Sequence, residues 1–221
     1  MKAMHIDDVL DRAHVVSLPL AVRFRGITTR EALLIEGPAG WGEFAPFLEY
    51  GPAESAAWLR AGLEAAYEGF PEPVRDSIEV NATIPAVPAS EVPAVVERYP
   101  GCRAFKIKVA EKGHTLADDA ARVHAVRDAV TQRGDIPILR VDANGGWSVD
   151  EAVEAAQMMM PLDYMEQPCA TTEELAQVRG RLMRAGLFVR VAADESIRKV
   201  ADPYRVAELQ AADVAVVKPA P

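Results

Sequence analysis

From Ser77 to the carboxyl end the chain repeats one rhythm, in which a short β-branched apolar run is followed by an amphipathic helix and then by another run. The strand-like segments are SIEVNATI (77–84), AFKIKV (104–109), ILRVDAN (138–144), DYMEQP (163–168), VRVAADES (189–196) and DVAVVKP (213–219). Helical patterns fill 90–99, 115–133, 148–159, 172–185 and 203–210. Strands that alternate with helices have to run parallel, because each helix carries the chain back to the starting edge. Six such units without a glycine-rich dinucleotide fingerprint favour an α/β barrel over an open sheet.

The first part of the chain has another texture. VVSLPLAVRF, EALLIEG and GPAGWGEF read as a small antiparallel sheet, with a helix over 53–67 behind it. Gly37, Gly40 and Gly42 have the wrong spacing for a phosphate loop and no helix start follows them, so they read as a hairpin turn. The expected organisation is an α+β domain over 1–75 and a barrel domain over 76–221.

The ends of the strands carry the chemistry. Lys108, Asp142, Glu166, Asp194 and Lys218 close the second to sixth strands in turn. Parallel barrel strands end at one common mouth, so residues remote in sequence converge there. Any one of these acids reads equally well as a helix cap, and any one lysine as a solvated cation. Five in succession, acids central and lysines flanking, are not explained that way.

Three carboxylates on adjacent strands make an all-oxygen donor set with no His or Cys. That points to Mg²⁺, with Mn²⁺ as the alternative, rather than zinc. Such a cation leaves positions for water and a substrate carboxylate, whose second negative charge it can stabilise when an α-proton is removed. A base for that proton is available in Lys106-Ile107-Lys108: residues two apart on a strand share a face, so both lysines point into the barrel. Repulsion between them is expected to lower the pKa of one toward the neutral form a base needs.

Composition removes other functions. A formal charge of −9 argues against binding a phosphate backbone, and no apolar run approaches the roughly 18 residues of a membrane span. The acidic start lacks a signal-peptide pattern, and two cysteines, Cys102 and Cys169, offer neither a disulfide framework nor a zinc set. A cytoplasmic protein acting on a small-molecule carboxylate, without nucleic-acid or membrane partners, is the expectation. The oligomeric state is not legible.

The ordered series KIK (106–108), VDANGGW (141–147), MEQP (165–168), ADES (193–196) and VVKP (216–219) resembles the muconate-lactonizing subgroup of the enolase superfamily. The resemblance covers nearly the whole chain and implies a modified (β/α)₇β TIM barrel with an N-terminal α+β capping domain. It implies Asp142, Glu166 and Asp194 as metal ligands, Lys108 as acid/base on one substrate face and Lys218 on the other. Lys106 would support Lys108 and the substrate carboxylate, and Asn144 and Glu195 would stand behind the ligands. A Lys base working with Mg²⁺ on an enediolate is that superfamily's known pairing. Dehydration with one base, cycloisomerisation and epimerisation with two bases all use this machinery and stay open, as does a non-catalytic barrel fragment.

The family has two barrel strands beyond the point where this sequence stops, so the chain is expected to be part of a longer protein and, taken alone, to form an unclosed barrel that is poorly stable or aggregates. Loops carrying Phe24 and Phe47 in the first domain are candidates for closing over a substrate ring. Trp147, Met158, Met159, Met160 and Cys169 read as core, and His5, His14, His114 and His124 lie away from the strand ends.

Overall fold

The computed structural model describes residues 5–24, 27–199 and 202–217, with the side chains of 21–24 also outside the description. The described residues divide into two compact units, one up to residue 76 and the other Ser77–Val217.

The first unit contains helix α1 (Ile6–Leu10), strands β1 (Ala13–Phe24), β2 (Ile27–Gly37) and β3 (Gly40–Phe44), and helix α2 (Pro52–Tyr67). The strands form an antiparallel sheet in the order β1-β2-β3. Gly37 pairs with Gly40 across a two-residue turn, so the glycine run is a hairpin. Gly42 has a second purpose. A Cβ at Gly42 would stand 1.9 Å from the Gly62 carbonyl oxygen of α2, and one at Gly62 would stand 2.5 Å from the Glu43 carbonyl oxygen. Helix and sheet therefore touch backbone to backbone, which only glycine permits. Val9, Ile35 and Ala66 form the small core there, with Leu33, Leu59, Leu63 and Tyr67 packed around them.

The second unit alternates strand and helix throughout: β4 (Ala82–Ile84), α3 (Val92–Val96), β5 (Ala104–Lys108), α4 (Leu116–Gln132), β6 (Ile138–Asp142), α5 (Val149–Met159), β7 (Tyr164–Glu166), α6 (Thr172–Arg184), β8 (Arg190–Ala193), α7 (Asp202–Glu208) and β9 (Val214–Ala215). All six strands are parallel and lie in sequence order, as consecutive staves of a β/α barrel do. Strands β4 and β9 are shorter than the sequence pattern suggests. Each stands at an end of the sheet order and pairs with a single neighbour among the described residues.

Three helices start on reciprocal caps. Thr115 with Asp118, Ser148 with Glu151, and Thr171 with Glu174 each close two orphan N–H groups of α4, α5 and α6. Each cap directly follows the loop leaving the carboxyl end of a strand, so it fixes where that loop terminates. Between sheet and helices, Ile107, Val141, Met165 and Val191 form a cross-strand row that is essentially solvent-free. Full burial of such a side chain is worth about 1.5–3 kcal/mol, which pins the strand register. Trp147, Met159 and Cys169 belong to the same core, where the sequence pattern puts them. No helix among the described residues is long and apolar enough to cross a membrane.

Candidate active site at the strand ends

The register that buries Ile107, Val141 and Met165 turns their neighbours to the opposite face of the sheet. Lys108 pairs with Asp142 and Asp142 with Glu166, so base candidate and two acids lie in one row across β5, β6 and β7. Asp194 follows β8 directly, two residues beyond Ala192, the partner of Glu166. One step nearer the strand starts, Lys106, Arg140, Tyr164 and Arg190 form a second row. Asp142 and Glu166 are each 1% exposed and Asp194 is 9% exposed.

The lysines sit on these acids. Lys108 Nζ donates to Asp142 Oδ2 at 2.5 Å and to Asn144 Oδ1 at 2.7 Å. Lys106 Nζ donates to Glu166 Oε1 at 2.7 Å and lies 3.1 Å from Asp142 Oδ2. Burial alone would disfavour the Lys106 charge, but its hydrogen bond to Glu166 and the field of Asp142 outweigh it and raise the pKa above the lysine range. Lys106 is therefore not the lysine of the pair whose pKa is lowered, because two carboxylates stand closer to it than the repulsion argument allowed for. Burial would also raise Asp142, yet hydrogen bonding by Lys108 and the charges of both lysines hold it down. Glu166 goes the other way: burial, helped by Asp142 and Asp194, outweighs the Lys106 hydrogen bond and raises its pKa.

The set of side chains suits a hard cation by its chemistry: buried carboxylate oxygens in mutual repulsion, and no nitrogen or sulfur donors. As the side chains stand, no group of three or more acidic, His or Cys residues among those described converges as a ready metal cage. The ammonium groups of Lys106 and Lys108 hold Asp142 and Glu166 instead. Glu195 adds another acceptor, since its Oε2 is buried without a hydrogen-bond partner among the described residues. Its Oε1 accepts from Asn144 Nδ2 at 3.1 Å and from Arg198 at 2.7 Å. A chain of contacts thus runs from Lys108 through Asn144 and Glu195 to Arg198.

Several supporting residues escaped the sequence reading. Arg122 and Asp119 of α4 form a buried ion pair at 2.7 Å, each 1% exposed. Arg122 also donates to the Lys108 carbonyl at 3.0 Å and the Val87 carbonyl at 2.5 Å, and contacts His114 Nδ1 at 2.8 Å. Asp119 Oδ2 accepts from the Ala110 N–H at 2.8 Å. The pair holds the backbone on both sides of the β5 end. In the deeper row Arg140 binds Asp163 at 2.9 Å and Asn81 at 2.7 Å, with its guanidinium over the Tyr164 ring. Gln167, fully buried, ties β7 to the segment after β8.

Two expected site residues lie outside the description: Lys218, and the side chain of Phe24, whose backbone ends β1. Phe47 stacks edge-on against Tyr50 and Trp58 and lies under Arg30, all within the first unit.

Residues 15–66 match the enolase N-terminal domain-like family, and residues 89–221 match the enolase C-terminal domain-like family. The chain belongs to the enolase superfamily. It is 58% identical over 219 residues to o-succinylbenzoate synthase of Mycolicibacterium smegmatis, covering 98% of this chain and 65% of that protein. Among solved structures it resembles the L-Ala-D/L-Glu epimerase of Bacillus subtilis, with TM-score 0.67 and 24% identity over 92% of this chain and 72% of the other. It also resembles the o-succinylbenzoate synthase of Thermosynechococcus elongatus BP-1 complexed with Mg, with TM-score 0.66 and 19% identity over 94% and 75%. At such identities the two structures speak for the fold. The enolase-superfamily fold has the parallel β/α architecture that the strand and helix alternation implies.

Proposed function

We propose that the protein is an o-succinylbenzoate synthase, a lyase that dehydrates 2-succinyl-6-hydroxy-2,4-cyclohexadiene-1-carboxylate to o-succinylbenzoate in menaquinone biosynthesis. The observation that carries this is the row Lys108, Asp142 and Glu166 with Asp194 beside it, in a chain 58% identical to a synthase of that name. A cytoplasmic location and a small anionic substrate belong to the same proposal.

In this reading Asp142, Glu166 and Asp194 hold Mg²⁺, or Mn²⁺, and Asn144 and Glu195 support them. The bound cation supplies the positive charge that stabilises the second negative charge developing on the substrate carboxylate. Lys108, which pairs with Asp142 in this structure, would leave that ion pair to act as a base when the carboxylate is engaged by the cation. Lys108 then removes the proton α to the carboxylate. The electron pair left behind expels the ring hydroxyl, Lys108 returns its proton to that group, water departs, and the ring becomes aromatic. Lys106 keeps its charge beside Glu166 and faces the carboxylate. Lys218 is proposed as a cation on the other face of the ring, stabilising the anionic intermediate without acting as a base. Phe24 and Phe47 remain proposed contributors to substrate selection.

The test is to incubate the protein with the cyclohexadiene substrate and Mg²⁺ and follow the ultraviolet absorbance of the aromatic product. Appearance of that band, and its loss in excess EDTA, is the expected result. No band, or turnover indifferent to EDTA, overturns the assignment.

A further inference from the structure

We propose that Gln167 is a positioning residue for the cation site: its side-chain amide sets the backbone that presents Asp194 and Glu195. The inference rests on the reading of Asp142, Glu166 and Asp194 as cation ligands.

Gln167 is completely buried, and its backbone adopts φ 38°, a left-handed conformation that L residues with a full side chain rarely take. That conformation ends β7 immediately after Glu166 and turns the amide toward β8. All of its hydrogen-bonding capacity is used there. Oε1 accepts from the N–H groups of Asp194 and Ser196, each at 3.1 Å. Nε2 donates to the Cys169 carbonyl at 2.9 Å and to Ser196 Oγ at 2.8 Å. Its backbone joins β8 and the turn after β6 as well, donating to the Ala192 carbonyl at 2.8 Å and accepting from Gly145 N–H at 2.7 Å. One residue thus binds the segments that follow β6, β7 and β8.

The consequence follows from where these bonds land. Asp194 initiates the short 3₁₀ turn Glu195–Ile197, and a turn of that length leaves early N–H groups without internal partners. Gln167 Oε1 takes two of them. With Asp194 N–H and Ser196 N–H on one oxygen, the backbone on both sides of Glu195 is fixed, and so are the directions in which the Asp194 and Glu195 side chains leave it. A carboxylate aimed by a rigid backbone binds a cation without first being ordered, and loss of such support typically costs about 10- to 100-fold in metal affinity.

The experiment measures Mn²⁺ binding, by loss of the free-ion paramagnetic resonance signal, together with urea unfolding. Four variants are compared with the unmodified chain. Gln167→Met keeps length and burial and removes all four amide hydrogen bonds; its Kd is expected to rise about 10- to 100-fold. Ser196→Ala removes one of them and is expected to raise Kd about threefold with little change in unfolding. Val178→Ala, in the buried core of α6, is expected to lower stability and leave Kd unchanged, which separates positioning from general loosening. Glu166→Gln tests the underlying reading and is expected to abolish tight binding. If the unmodified chain binds no Mn²⁺, or Glu166→Gln binds it normally, the ligand assignment fails. If those controls behave as expected and Gln167→Met binds like the parent, the positioning role alone is overturned. Should Gln167→Met fail to fold, Ser196→Ala decides, and an unchanged Kd in that variant overturns the proposal.

Discussion

Removing the Asp119 carboxylate isolates a buried positive charge, and the cost can be worked from its surroundings. In Asp119→Ala the Arg122 guanidinium, 1% exposed, keeps its contacts to the Lys108 and Val87 carbonyls but loses its counter-ion. Breaking a buried pair by deleting one partner costs about 3–5 kcal/mol. The Ala110 N–H is orphaned at the same time, but this adds little if water reaches the loop. We therefore expect a loss of about 3–5 kcal/mol in the unfolding free energy of the second unit. The double change Asp119→Leu with Arg122→Met should recover only part of it, since no charge is stranded but the Lys108 and Val87 carbonyls lose their donor. The assay is urea unfolding followed by the fluorescence of Trp147, in a background where Trp41 and Trp58 are replaced by Phe. Linear extrapolation gives the free energies. A loss below about 1 kcal/mol for the single variant would refute the reasoning, since it would mean that water solvates Arg122.

Cys169 should be chemically silent in the folded protein: burial, helped by Glu174 and Glu151, pushes its thiol up to about 12. The thiolate fraction at pH 8 is then on the order of 10⁻⁴, so a thiol reagent should label Cys102 at most until denaturant is added, and labelling of native Cys169 would contradict this. The same shift has a pH consequence with a definite sign: the unfolded thiol deprotonates near 9 and the folded one near 12, so the native state holds the extra proton between them and stability from this group falls as pH rises through that window. Gly42→Ala should destabilise the first unit by about 1–3 kcal/mol or more, because the obstacle 1.9 Å away is helix backbone that cannot rotate aside; an unchanged unfolding midpoint would show that α2 shifts freely.

The alternation of strand and helix was readable because buried parallel strands need continuous apolar runs, and the period-two spacing of Lys106 and Lys108 put both on the face that carries Asp142 and Glu166. What strand spacing could not supply was distance. The argument from lysine repulsion treated the pair alone, whereas Glu166 and Asp142 stand within 2.7 and 3.1 Å of Lys106 and reverse the shift. Arg122 was overlooked although a signal existed: Asp119 and Arg122 share a helical face with Val123, Val126 and Val130, all buried, so a charge pair was due on the core side of α4. Gln167 had no periodic signal. Its importance comes from a backbone turn and from partners 27 and 29 residues away, which no local pattern encodes.

The central claim, that Lys108 moves the proton while the acids around it hold a cation, is tested most directly by the dehydration rate of Lys108→Arg in saturating Mg²⁺. Arginine keeps the positive charge but stays protonated, so it can pair with Asp142 and cannot act as a base. The account predicts a fall in kcat of about 10²- to 10⁴-fold or more with the fold retained. A Lys108→Arg enzyme that still forms the aromatic product at the parent rate would contradict it.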